Sequence, residues 1–105
     1  MVQNNQYATE ISRLHKIAAE SRLRVVESQI ALAFTLCAIA ETEIRYSRRD
    51  EAIKVVTKVR HHAETISFHV EEPHHVPTGA ISGLRKQLTQ LKKRTEEIEL
   101  CLRQR

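Results

Sequence analysis

Apolar residues recur along this chain at alternating steps of three and four, the spacing that lines one face of an α-helix. From about Gln6 to Tyr46 neither glycine nor proline interrupts the pattern. The second half of that stretch carries a seam of Leu23, Val26, Ile30, Ala33, Cys37, Ala40 and Ile44. The first half carries its own, Tyr7, Ile11, Leu14 and Ala18. The two seams are out of phase by about one residue, and the slip falls at Glu20-Ser21-Arg22. Either one long helix has two contact faces, or the helix breaks at Ser21, a residue able to cap a new one.

Ser47-Arg48-Arg49-Asp50 is the first turn signal, with Asp50 placed to cap the next helix and Glu51 suited to its positive end. The seam that follows is Ala52, Val56, Val59, Ala63, Ile66 and Val70, and Glu71-Glu72-Pro73 stops it. His74 to Gly79 is the one loop rich in helix breakers, and Thr78 is the expected cap after it. The last seam is Ile81, Leu84, Leu88, Leu91, Thr95, Ile98 and Leu102, with Cys101 alongside. Glu99 and Arg103 have the favourable i,i+4 order for an ion pair along this helix.

Three seams joined by short links predict an all-α fold, an antiparallel three-helix bundle within a single helical domain, 1–105. The first stretch is too long for the other two helices to cover. The domain therefore divides into an N-terminal helical arm, 1–22, and a three-helix core, 23–105. An apolar stripe left uncovered on a helix seeks a partner. Tyr7, Ile11, Leu14 and Ala18 are thus the expected self-association residues of a homodimer. Folding back as a fourth helix after a break near Ser21 is the alternative.

Composition narrows the function classes. With two glycines and two prolines in 105 residues, the turns of a sandwich or barrel and the glycine loops that cradle phosphate are lacking. A hydrophobic share of 41% and a charged share of 29% fit a globular helical chain rather than a disordered one. The longest apolar run, Ile30 to Ala40, is short of a membrane span, and the polar N-terminus does not read as a signal peptide. Two cysteines remote in sequence, Cys37 and Cys101, read as reduced core thiols, so a cytoplasmic setting is expected.

The middle of the chain resembles a tetratricopeptide-repeat hairpin. Leu36, Ile39 and Ala40 stand where its first helix packs, and Asp50-Glu51-Ala52-Ile53-Lys54 is similar to the opening of its second. The repeat's tryptophan is missing, and Glu43 replaces its tyrosine. With the third helix added, residues 31–105 resemble the microtubule-interacting-and-transport domain, whose last helix often reads like Leu91-Lys92-Lys93-Arg94-Thr95-Glu96-Glu97-Ile98. Both families bind peptides or helices in grooves, so the resemblance implies a TPR-like interaction module with a protein or peptide partner. It transfers no binding residue, because the matched positions are packing positions.

Few groups along the chain carry chemistry of their own. His62, His69, His74 and His75, beside Glu71 and Glu72, come nearest to a metal-ligand set. They lack HxxxH or HExxH spacing and a nearby cysteine, so no metal and no cofactor is expected. The net charge of +4 resides in residues 73–105, with seven bases and three acids. Arg85, Lys86, Lys92, Lys93 and Arg94, together with Arg103 and Arg105, make the third helix the candidate surface for an anionic partner. No aromatic residue interleaves with these bases, and no helix-turn-helix spacing occurs, so neither nucleic acid nor membrane is an expected partner. No nucleophile has a base beside it, and no catalytic residue is assigned. The expectation is a non-enzymatic helical interaction or adaptor module acting by self-association and helix-in-groove binding. A metal-binding or nucleic-acid-binding helical protein is the alternative.

Overall fold

In a computed structural model, which describes residues 2–104 and their side chains from Gln6 onward, the chain forms three α-helices and no strand among those residues. They are α1, Val2–Arg45; α2, Arg49–Glu71; and α3, Thr78–Arg103. The all-α, three-helix architecture with a long N-terminal helix is as expected. The break at Ser21 is not there. Nothing in the Glu20–Arg22 stretch withholds a backbone N–H or forces a non-helical dihedral, so continuing the ladder satisfies every amide at no steric cost. The fourth helix is excluded with it.

At 1.5 Å per residue the 44-residue α1 is about 66 Å long, against about 35 Å for α2 and about 39 Å for α3. The molecule is accordingly a rod, 71 × 19 × 14 Å. Cross-links fix the helix directions. Leu23 lies beside Ala80 and Leu84, Cys37 beside Thr95, and Ile44 beside Cys101, so α1 and α3 run parallel. Glu71 pairs with Arg85 and Arg60 with Glu99, so α2 runs antiparallel to both.

The core is the three predicted seams meeting. Val26, Ile30, Ala33, Cys37 and Ala40 close on Ala52 to Val70 of α2 and Leu84 to Leu102 of α3. Ile66 and Leu91 are wholly buried, each side chain contributing about 1.5–3 kcal/mol. Among the described residues Thr95 is the one buried polar residue. Its hydroxyl donates to the Leu91 carbonyl at 2.8 Å and lies 4.0 Å from the Cys37 sulfur. The open end of the bundle is closed by Val76, a loop residue 3% exposed. Beside it the Arg22 Nε donates to the His75 carbonyl at 2.6 Å, and Ala19 is the first buried residue among those described.

Several local expectations are corrected. Asp50 lies inside the first turn of α2, where the capping residue is Arg48 and no side chain caps. Pro77, not Thr78, precedes the first helical residue of α3, again without a side-chain cap. Glu99 pairs with Arg60 across α2 and α3 rather than with Arg103, its half-buried side chain lying on the side of α3 that faces α2. Cys101 is exposed, since one residue before Leu102 turns it about 100° off the seam. The backbone also enters the left-handed region without glycine. Ser47, φ 61°, ends α1 in a Schellman turn, with Arg48 N–H bonded to Glu43 O and Ser47 N–H to Ile44 O. His74, φ 62°, does so in the second loop.

Candidate interaction surfaces

Four surfaces hold the residues that sequence singled out. The first is the free flank of α1. Tyr7, Ile11 and Leu14 are 69%, 52% and 52% exposed, and Ala18 is half-buried. Among the described residues no other helix runs alongside Tyr7 to Leu14, because the α2–α3 loop closes on α1 at Ala19 and Arg22. Ile17, on the same stretch, is exposed too.

The outer side of α1 stays apolar beyond Ala18, which sequence reading missed. Val25, Leu32 and Ile39 are 54%, 46% and 42% exposed. Val25 and Leu32 flank a shallow groove completed by Arg24, Ser28 and Gln29. The signal was present: these positions fall on every second step of the arm's three-four pattern, with Ser21, Ser28 and Thr35 on the steps between, and the core seam one residue away is the stronger. Two apolar faces on one helix also explain why the stretch Gln6–Arg45 is long and apolar enough to cross a membrane by length and composition alone. Only 28% of that apolar window is buried inside the bundle.

The second surface is the corner where α2 meets its following loop. Of the four candidate histidines, only His69 and His75 come together, with ring centroids 5.1 Å apart. The exposed Phe68 stands edge-on to both, at 5.5 and 5.7 Å. Burial, reinforced by the nearby His75 and the Arg22 charge, holds His69 below the ordinary histidine pKa. Its Nδ1 is buried without a hydrogen-bond partner. His62 sits two turns back on α2, about 10 Å away along the axis, and His74 is exposed. Among the described residues no group of three or more His, Cys, Asp or Glu is arranged to hold a metal ion.

The third surface is the basic helix. Arg85 bonds Glu71 through two nitrogens at 3.3 Å, and Arg94 bonds Glu41 at 2.5 and 3.3 Å. Arg94 thereby draws the Glu41 carboxyl below its usual pKa range. Lys86, Lys92 and Lys93 are exposed, with no ion pair among the described residues, and they divide between grooves. Lys92 borders the α2–α3 groove and Lys86 the α1–α3 groove. The five bases thus do not converge on one patch, and Arg105 lies outside the described residues.

The fourth surface is the α2–α3 groove itself, an open cleft of about 530 Å³. Ala63, Thr95 and Phe68 line its floor and end, and Arg60, Glu64, Lys92, Glu96 and Glu99 its rims. Mixed charge along two rims with an apolar strip between is a shape that accepts an amphipathic helix. Cys37 faces none of these surfaces, and burial pushes its thiol pKa up, which disfavours the reactive thiolate. A comparison with known protein families, with curated proteins and with solved structures finds no match for this chain.

Proposed function

We propose that this chain is a non-catalytic helical interaction module. It acts through self-association of the α1 arm, and it takes a partner helix or peptide in the groove between α2 and α3. The observation that carries this reading is the run of exposed apolar side chains at Tyr7, Ile11 and Leu14, on a helix that outruns the rest of the fold. A monomer with such an arm would keep a contiguous apolar strip in water, a feature typical of association surfaces. The mixed-charge rims of the α2–α3 cleft, and the resemblance to helix-groove modules, support the second half of the reading.

Sedimentation equilibrium over a range of concentrations tests it. The expected result is a species of twice the 12.1 kDa chain mass. Leu14→Asp is expected to return the protein to a monomer whose helical content and melting transition persist. A wild-type chain that remains monomeric at every concentration overturns the self-association reading.

A further inference from the structure

The arm's stripe does not stop where the core begins. Counting on from Ile11 in sevens gives Ala18, Val25, Leu32, Ile39 and Tyr46, six apolar residues without a miss. Five of the six are exposed and Ala18 is half-buried. Tyr46 lies just past α1, but its amide still bonds the Thr42 carbonyl at 3.1 Å, so the helical path holds to that point. The intervening positions are Tyr7 and Leu14, then the small residues Ser21, Ser28, Thr35 and Thr42. The two threonine hydroxyls are already satisfied, donating to Ala31 O and Ala38 O at 3.0 Å. Their methyl groups are therefore free to face an apolar neighbour.

We infer that the occupant of this face is a second copy of α1, packed antiparallel along the whole helix rather than arm to arm. The inference rests on the self-association reading above and names its interface. In the full-overlap register Tyr7 meets the partner's Tyr46, Ile11 the partner's Thr42, and Leu14 the partner's Ile39. Ala18 meets the partner's Thr35, Ser21 the partner's Leu32, and Val25 the partner's Ser28. Three of the six layers set a bulky residue against a small one, two toward the ends pair large side chains, and Ala18 with Thr35 forms one small layer where the helices approach closely. One flanking charge pair accompanies this register: Glu10, which bonds Arg13 in its own helix, falls beside the partner's Arg45, an exposed residue.

Competing arrangements are worse on the same residues. A slide of one heptad in one direction sets Arg24 against the partner's Arg24, a like-charge contact. A slide in the other strips Tyr7 and Ile11 of partners. A parallel pair stacks Ser21, Ser28, Thr35 and Thr42 each on itself, four thinly packed polar layers. Full overlap also gives the arm its cover, because Tyr7 to Ala18 then lie along the partner's core half. A strip about 60 Å long and about 10 Å wide on each copy buries about 1,200 Å² in the pair, the lower bound of stable specific interfaces.

The test combines a distance with a variant. Cys101 is exposed and level with Ile44 and Ser47, while Cys37 is buried, so a nitroxide label goes on Cys101 of the otherwise native chain. Full antiparallel overlap places the two labels about 55–65 Å apart by pulsed electron resonance. An arm-only pair would separate them by about 90 Å, and a parallel pair would bring them within about 40 Å. In parallel, Leu32→Asp is expected to weaken the dimer at least about 100-fold while leaving monomer helicity intact, since a buried unpaired carboxylate opposes association. A dimer that ignores Leu32→Asp, or either of the other two distances, overturns the full-length interface while sparing self-association. A monomer that floats with neutral lipid vesicles overturns both and assigns the face to a membrane.

Discussion

The two faces of α1 are built alike and meet opposite fates. One carries Val26, Ile30, Ala33, Cys37 and Ala40 at three-four steps and is sealed by α2 and α3. The other carries Val25, Leu32 and Ile39 at a spacing of seven and, among the described residues, stays largely exposed. Each member of the second set precedes a member of the first or its seam neighbour by one residue, about 100° around the helix. Periodicity states that a face wants cover. It does not state which element supplies it, because that depends on the lengths of the other helices and on where the connecting loops return the chain.

That contrast can be broken most severely in the core. Leu91→Ala removes a wholly buried side chain and is expected to destabilise the fold by about 2–5 kcal/mol in chemical denaturation. Leu32→Ala, on the outer face of α1, is expected to change monomer stability by less than about 0.5 kcal/mol, measured below the association range. Equal losses at both sites would show that the outer face is also held within one chain.

The backbone offers the next largest effect. Glycine sits in α3 at Gly79 and Gly83, where φ is not positive and an added Cβ would meet open space. Serine sits at the left-handed residue that ends α1. Exchanging them in the sense of the geometry, Ser47→Gly and Gly83→Ala, is expected to stabilise the protein by about 1 kcal/mol each. The readout is a Tm rise of about 4–8 °C per substitution.

Ion pairs sharpen the same comparison between core and arm. Arg94 and Glu41 have side chains 34% and 41% exposed, and they tie α3 to α1. Solvent screening limits Arg94→Ala to a loss of about 0.5–1 kcal/mol. Arg13 pairs with Glu10 within the arm, both more than half exposed, so Arg13→Ala is expected to leave the melting curve unchanged.

The smallest expected effect is a pH dependence at the corner between α2 and its loop. Folding lowers the His69 pKa below its ordinary value of 6.5, mainly by burial. The unfolded chain therefore takes up the proton first as pH falls. Stability from this group is complete above about pH 6.5 and declines as pH drops through the depressed value. His69→Gln is expected to flatten thermal stability between pH 7.5 and 5.5 relative to the native chain.

Much of the fold was legible because helical spacing is a local property. The α2 seam from Ala52 to Val70 and the α3 seam from Leu84 to Leu102 coincide with the buried residues. What escaped was decided by contacts between elements. Val76 is buried because the loop folds over the end of the bundle, and loop residues carry no periodicity to announce it. Glu99 chose Arg60 over Arg103 because α2 lies alongside. The histidines looked like one group in sequence, yet only His69 and His75 meet, since helix α2 carries His62 two turns away. Cap residues were misassigned at both later helices because Arg48 and Pro77 end the loops with backbone geometry alone.

The sequence by itself determined the helical class, the three seams and the excess length of α1. Each follows from spacing and from the absence of glycine and proline over the first 72 residues. Only the tertiary structure decided that α1 runs unbroken past Ser21, because a capping residue permits a break without compelling one. It also decided which of the two apolar faces of α1 the core would use. α2 and α3 can flank one side of a helix at a time, and the side they leave is where this protein has most to offer a partner.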